Sequence, residues 1–585
     1  MKNQPPRLLN LVPQAAGDTV IGRDTEVKTA HKILKEGVPV MLVNGIGGIG
    51  KTTVALKYIA EYESHYQHIA WITVSGSLPE ALVTDRELTR SLDLDETLKT
   101  LPAEQLHETG CKMILRRLSD LSGCLLVLDN ANDLADLLQW QNVLGASRAH
   151  VLITSRNEPP GWPCVHVETL PPEQARALFR RHYLFQAPGD AELDALLNEL
   201  SCHTLLVELS AKAAQASRIP FAELAARIRK AYIHDEALNL RAVDTGQSGQ
   251  SVETRRKIAR IEGYVDLIFH EISQLFDAEK EHLAVLTLLP PAEWYPEAEL
   301  SPVYALLHKD GAFNPATFDR LSEKGWLQRE DDPVQPLAYK IHPLIQDTAF
   351  SRLEMTAEKA GAVIQSIADR IHYDSTDPAH KLFEKVKSKP QADYLEKRFR
   401  DARTEQMAYL LDRIAYLEEN FGQYRMAAVL GEKAYEITQE VFGQEHPNVA
   451  VRQSNLANVY SDLGQYDKAR DLLEAALESA VKNFGQEHPN VAVSQSNLAN
   501  VYSDLGQYDK ARDLLEAALE LDVKNFGQEH PNVAVRRINL GAVFSATGEK
   551  AKARALFGQA YELFKKQLGE EHPSTRTAKN WLDDA

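Results

Sequence analysis

The last third of this 585-residue chain repeats itself every 42 residues. The string FGQEHPNVAV begins at Phe442, Phe484 and Phe526, and a worn copy, LGEEHPSTRT, begins at Leu568. The block from Gly443 to Phe484 matches Gly485 to Phe526 except at Arg452/Ser494, Ser479/Leu521 and Ala480/Asp522. Such self-similarity predicts a solenoid in which each unit buries its apolar face against the next. Within a unit, Leu456, Ala457 and Tyr460 share a helical stripe, Gly464 marks a turn, and Ala469, Leu473 and Ala476 share a second stripe. The small residues let two helices approach closely.

This helical pair resembles the tetratricopeptide repeat, in the 42-residue form found in kinesin light chains, over residues 406–585. The resemblance implies a concave surface that receives a protein or peptide ligand. Asn455, Asn458, Asn497, Asn500 and Asn539 are the candidate peptide-binding residues. The alternative is that they cap turns or keep exposed helices soluble. His446, His488, His530 and His572 recur with the repeat. Helices packed about 8–10 Å apart hold successive histidines too far apart to share an ion, so these are read as copied loop residues.

The front of the chain carries the chemistry. VPVMLVNGIGGIGKTTVALKYIAEY reads as a buried strand, a glycine-rich turn and a helix. Gly45-Ile46-Gly47-Gly48-Ile49-Gly50-Lys51-Thr52 satisfies G-x-x-x-x-G-K-[ST] in that context. The glycines let backbone N–H groups curl round a phosphate, and the helix N-terminus adds positive potential. Lys51 would reach the β- and γ-phosphates, Thr52 would help hold Mg²⁺, and Thr53 follows on the same helix. A second buried strand, Cys124 to Asp129, ends in an acid placed to orient Mg²⁺. A third, HVLITSR, ends at Arg156, a candidate γ-phosphate sensor. Strands alternating with helices predict a parallel α/β sheet with the ligand at the strands' carboxyl ends.

This order of features resembles the NB-ARC class of STAND NTPases, the switch module of plant resistance proteins and apoptotic protease activators. Val20-Ile21-Gly22-Arg23-Asp24 is similar to the segment gripping the adenine side, which makes Ile21 and Arg23 nucleotide-binding candidates. His68 to Ser75 matches the family's second strand, and Thr154-Ser155-Arg156 its sensor motif. Leu170 to Ala175 opens a region resembling the small helical domain. LAVLTLLPPAEWYPEAEL with FDRLSEKGWLQRE resembles the winged helix. Lys340-Ile341-His342-Pro343-Leu344 falls at the Met-His-Asp motif, so the resemblance implies that His342 contacts the β-phosphate of ADP. The expected boundaries are an extension (1–17), a P-loop domain (18–170), a small helical domain (171–235) and a linker with a helix (236–280). A winged-helix domain (281–352), a helical connector (353–405) and the α-solenoid (406–585) follow.

Three departures bear on chemistry. Asn130 follows Asp129 where many relatives carry a second acid, and an amide is no general base, so Asp133 is the substitute candidate. Leu205 stands where a proline would pack on adenine. His342 is followed by Pro343, not aspartate.

Composition narrows the partners. With 83 acidic against 65 basic residues the formal charge is -18, which argues against nucleic acid or an anionic membrane. Four widely spaced cysteines point away from a zinc or disulfide framework and towards a reducing, cytoplasmic compartment. Nothing reads as a signal peptide or a membrane span, and no room is seen at either end for a death-fold, TIR or nuclease domain. The expectation is an ATP/ADP- and Mg²⁺-dependent switch, with slow ATPase turnover in doubt. It would sense a ligand through its repeats, form homo-oligomers and recruit a separate effector protein, with defence implied by the family alone. The alternatives are a nucleotide-stabilised peptide-binding scaffold and a STAND-type transcriptional regulator whose winged helix contacts DNA.

Overall fold

The computed structural model describes residues 6–13, 20–99, 101, 103–233, 252–272, 275–291, 293–308, 311–330, 336–372, 385–570 and 572–585. The Gly/Ser/Gln stretch at 245–251, read as linker, lies outside them. The chain divides into two compact units, one running to Val363 and the second beginning at Ile364. Among the described residues no helix is long and apolar enough to cross a membrane.

The first unit is built on a six-stranded sheet, all of whose pairings are parallel, in the order β1-β3-β4-β5-β2-β6. The strands are β1 (Arg7–Leu8), β2 (Val40–Asn44), β3 (His68–Thr73), β4 (Cys124–Asp129), β5 (His150–Ser155) and β6 (Cys164–His166). The central strands read as unbroken apolar runs because both faces are covered; every residue of β4 is buried. Helix α1 (Asp24–Lys35) places Val27, Ala30 and Leu34 in one core with Val54, Ala55 and Tyr58 of α2 (Lys51–Tyr62) and Met41, Val43 and Val127 of the sheet.

Register sets the site. Asn44 of β2 lies opposite Ser155 of β5, and Thr73 of β3 opposite Asp129 of β4. The P-loop, Asp129 and Arg156 therefore leave the sheet at the same carboxyl end of its parallel strands. Arg7 and Leu8, within the expected extension, pair with β3 in this sheet, and the next two residues pack against it. Leu9 is buried, and Asn10 accepts from the Trp71 N–H (2.9 Å) and donates to the Trp71 carbonyl (2.6 Å).

Beyond the sheet come helices Pro172–His182, Asp190–Glu199, Thr204–Ala216 and Phe221–Ile233. Further on, a three-stranded antiparallel sheet holds β9 (Ala338–Ile341) between β7 (Tyr295–Pro296) and β8 (Leu327–Glu330), and Pro343–Arg352 forms a helix directly after it.

The second unit contains helices Gly361–Ile371 (in its greater part) and Lys389–Arg398, then stacked pairs. These are Glu405–Asn420 with Tyr424–Phe442, Pro447–Asp462 with Tyr466–Phe484, Pro489–Asp504 with Tyr508–Phe526, and Pro531–Ala546 with Lys550–Leu568; Pro573–Asp584 closes the stack. Ala457, Ala469 and Ala476 are wholly buried, as the close approach demands. The final pair exchanges volumes: Gly541 replaces Ala499 of the preceding pair and Phe557 replaces Leu515. A Cβ on Gly541 would lie 2.7 Å from the Phe557 ring, so the glycine accommodates the larger side chain. The recurring histidines are helix N-caps. His446 Nδ1 accepts from the Asn448 N–H at 3.1 Å, and its ring stacks on Phe442 with centroids 4.4 Å apart.

Where near-identical repeats differ, charge is placed with its partner. Ala480 and Ser494 become Asp522 and Arg536, whose side chains pair at 3.0 Å while 0% and 8% exposed. Arg452 instead reaches Asp412 at 2.7 Å. Arg536→Ala strands the buried Asp522 carboxylate and is expected to cost about 3–5 kcal/mol. The double change Asp522→Ala with Arg536→Ser recreates the preceding repeat and should recover most of it. Denaturant unfolding checks both, and equal losses in single and double variants would contradict the pairing.

Candidate functional site

The P-loop is shaped by its own backbone and held by distant segments. Gly48 and Gly50 take positive φ values of 72° and 108°, which favour glycine. A Cβ on Gly45 would come within 2.8 Å of the Val167 carbonyl, so the loop runs against the chain leaving β6. A Cβ on Gly48 would meet Leu205 at 2.9 Å and His203 at 3.0 Å. One on Gly47 would lie 3.4 Å from Leu344 and 3.6 Å from Arg156. Ile49 places its side chain in the core and offers the loop its main chain.

Arg23 is 3% exposed. It donates to the carbonyls of Ile49 (2.5 Å) and Glu168 (2.8 Å), and pairs with Glu26 at 2.9 Å. The resemblance implies a nucleotide contact for this residue; its guanidinium also fastens the P-loop to the segments around it. Its neighbours are pinned as well, since Lys57 of α2 donates to the Gly22 carbonyl (2.6 Å) and to Asp24 (2.8 Å). Ile21 is half-buried in this segment.

Thr52 and Asp129 meet. The Thr52 hydroxyl donates to Asp129 Oδ1 at 2.8 Å, and Thr154 donates to the same oxygen at 2.6 Å. This all-oxygen pair at the mouth of the P-loop fits a hard cation such as Mg²⁺. Thr53 is half-buried on the same helix turn. Lys51 folds onto the carbonyls of Gly45 (2.9 Å) and Ile46 (3.0 Å). Burial, reinforced by Arg156 and opposed by Asp129, pushes its amine down to about 7.

Basic groups converge here from four segments. His342 caps the helix Pro343–Arg352, its Nδ1 accepting from the Leu344 N–H at 3.2 Å. That bond puts the neutral ring's proton on Nε2. Burial, followed by Arg156, Lys51, His203 and Lys340, holds the imidazole well below its ordinary value. His203, 1% exposed, directs Nε2 at the Gly47 carbonyl (3.0 Å) and leaves Nδ1 buried without a partner. Burial pushes it down to about 4, with the bond to Gly47 opposing and Lys51 and Arg23 adding. Low local dielectric makes such convergence costly until an anion occupies it. The glycine cradle, the depressed lysine and the Nε2–H of His342 fit a nucleotide's phosphates.

The departures have structural causes. Leu205 donates its N–H to the Gly48 carbonyl at 3.2 Å, which a proline could not do. Asn130 sits at φ 64° with both ends of its amide engaged: Nδ2 donates to the Val74 carbonyl (3.2 Å) and Oδ1 accepts from Asn132 (2.6 Å). A carboxylate could not donate to Val74. Asp133, the substitute base, caps the helix Leu134–Gly145 by accepting from the Asp136 N–H at 3.0 Å. Arg156 is exposed, with its own N–H held by Asn132 at 2.8 Å. Asn132, His203 and Leu344 escaped the sequence reading; their roles depend on neighbours remote in the chain.

In the solenoid two candidate amides are spent on neighbouring helices. Asn455 donates to Asp412 (2.9 Å) and Asn539 to Ser496 (3.1 Å). Asn458 and Asn500 are exposed and Asn497 is half-buried.

Residues 23–182 match the family model of the NB-ARC domain. Residues 406–482, 453–522 and 490–566 match that of the tetratricopeptide repeat. The chain is similar to the disease resistance protein RPP8 and the probable disease resistance RPP8-like protein 4 of Arabidopsis thaliana. Each is 26% identical over 220 residues, covering 34% of this chain and 23% of the relative. The match thus spans less than a quarter of those relatives. Among solved structures, a signal transduction ATPase with numerous domains and a tetratricopeptide repeat sensor from Pyrococcus horikoshii is 16% identical. That alignment covers 99% of this chain and 88% of the other, with a TM-score of 0.43. A Podosopora anserina putative kinesin light chain with nearly identical repeats is 22% identical, covering 36% and 96%, with a TM-score of 0.29.

His203 gives the nucleotide-free site a pH signature. Its folded pKa lies below the unfolded value, so stability is full above about pH 6.5 and is lost as pH falls towards 4, by about 1.4 kcal/mol per unit. Between pH 7 and 5 the wild type should therefore lose more than His203→Gln, measured by thermal unfolding. Equal losses would show that His203 is not held neutral.

Proposed function

From a chain that joins an NB-ARC domain to tetratricopeptide repeats, we propose a switch whose closed state is held together by a bound adenine nucleotide. The observation that carries this reading is the convergence of Lys51, Arg156, His203 and His342 on one P-loop. These groups come from the loop, the end of β5, the start of the Thr204–Ala216 helix and the segment after β9. Burial and their mutual proximity hold the two histidines neutral and depress Lys51, and a β-phosphate would favour the charged forms. His342 Nε2–H, Lys51 and the P-loop amides would hold the phosphates; Thr52 and Asp129 would hold Mg²⁺. When bound, the nucleotide supplies the negative charge that the site lacks.

A ligand on the repeats would bias the open state by binding it more tightly than the closed one. Exposed Asn458 and Asn500 remain the candidate ligand contacts. Open protomers would then associate and recruit a separately encoded effector. The similarity to disease resistance proteins supports a role in defence signalling.

A second reading, a nucleotide-stabilised scaffold that turns over slowly or not at all, is favoured by the tied amide of Asn130 and the capping carboxylate of Asp133. Neither offers a free base to an attacking water.

Purified protein, denatured and analysed by chromatography, is expected to release one ADP per chain. Lys51→Ala should release none, and retained nucleotide there would sink the P-loop assignment. His342→Ala should weaken ADP by about 10- to 100-fold, the scale of one charge-assisted hydrogen bond, and raise basal assembly by light scattering. Unaltered ADP affinity in that variant would remove the proposed lock. Oligomers forming with ATP and not with ADP would favour the switch; identical behaviour with both would favour the scaffold.

A further inference from the structure

The edge strand β6 carries a donor set that the nucleotide site does not use. Cys164 and His166 lie two residues apart, so both side chains leave the same face of the strand. Cys164 Sγ is 3.6 Å from His166 Nδ1. Glu158, from the loop after β5, brings Oε2 to 3.8 Å from His166 Nε2. One donor atom from each of the three residues lies within 4.8 Å of the others. With metal–sulfur and metal–nitrogen bonds of about 2.3 and 2.0 Å, tetrahedral geometry puts sulfur and nitrogen about 3.5 Å apart. The observed pair therefore already spans one edge of such a tetrahedron. Glu158 and His166 are 45% and 60% exposed, which leaves an ion a way in and lets the carboxylate turn from its place beside Nε2 towards the ion.

An ordinary surface ion pair accounts for this arrangement poorly. At 3.8 Å and that exposure, a glutamate–histidine contact contributes little, and it has no use for a thiol at hydrogen-bonding distance from the ring. The wide spacing of the cysteines argues against a zinc framework of cysteine pairs and leaves room for a mixed sulfur, nitrogen and oxygen set.

We propose that Glu158, Cys164 and His166 form a binding site for a divalent cation of the zinc class, with Cys164 Sγ, His166 Nδ1 and a Glu158 oxygen as ligands and solvent in the fourth position. On binding, the thiol proton leaves to solvent as the sulfur–metal bond forms. Thiolate and imidazole favour zinc over magnesium, whereas the Thr52 and Asp129 oxygens have the opposite preference. The ion would tie the Glu158 loop to β6, which pairs with β2 in the register Leu42↔Cys164 and Asn44↔His166. The chain continues from β6 to Glu168, whose carbonyl accepts from Arg23. The ion would thus brace the strand beside the P-loop.

The full chain, stripped with chelator, is titrated with zinc and, separately, with cobalt(II). One ion per chain is expected, with the near-ultraviolet charge-transfer absorption that reports a cobalt–thiolate bond. Cys164→Ser should abolish that absorption. His166→Ala should weaken zinc by more than the about 10- to 100-fold typical of losing an outer-shell partner. Glu158→Gln, a change at an exposed side chain, should weaken zinc with the thermal unfolding of the metal-free protein unchanged. No thiolate absorption in the wild type, or undiminished absorption in Cys164→Ser, overturns the site. Should Cys164→Ser fail to fold, the wild-type cobalt spectrum together with Glu158→Gln decides.

Discussion

The nucleotide-binding unit is organised around like charge. Lys51, Arg156 and His342 face one another across the P-loop, where the Asp129 carboxylate is already engaged by two threonine hydroxyls. The fold responds by depressing what can be depressed: Lys51 falls to about 7 and both histidines lie below their ordinary range. Arg156 stays charged and remains exposed at the rim. Such an arrangement stores its energy in a form that an anion releases, so the chemistry of the ligand is written in the electrostatics of the protein.

Hydrogen bonds to main-chain carbonyls do the positioning that these converging groups cannot. Arg23, His203, Thr204 and Leu205 all bind P-loop carbonyls, and Thr204 Oγ1 donates to Ile49 at 2.9 Å. The loop therefore has its amides free to face a phosphate while its carbonyls are held from behind. The position of the helix and the shape of the loop are coupled, since moving Thr204–Ala216 away would strip several carbonyls of their donors together.

Much of this architecture was legible from sequence. The 42-residue period, the glycine pattern and the strand ending in Asp129 each reflect local rules, and each landed where expected. What escaped were residues whose role is settled by a remote partner. Leu205 read as the loss of a proline, yet its N–H is the donor that a proline would lack. Asn130 read as the loss of an acid, yet its amide reaches Val74 as no carboxylate could. Asn455 and Asn539 sat on the right helices, but the neighbouring helix claims their amides. Spacing assigns a residue to a face; it does not say what waits opposite.

The two substitutions at Leu205 and Asn130 also share a direction. Each adds a hydrogen bond that fixes the site, and Asn130 does so with a group unable to take a proton from water. Under the proposed switch, such a site would gain rigidity at the expense of turnover, and a bound nucleotide would mark a state more than fuel a cycle. For a two-state element, moving from about 1:99 to 99:1 takes roughly 5.5 kcal/mol of differential binding. A cluster of three or four basic groups around one phosphate supplies interactions on that scale without any hydrolysis, because charge-assisted hydrogen bonds contribute about 1.5–3 kcal/mol each. Binding and release of the anion would then be sufficient to drive the change, and hydrolysis would serve only to reset it.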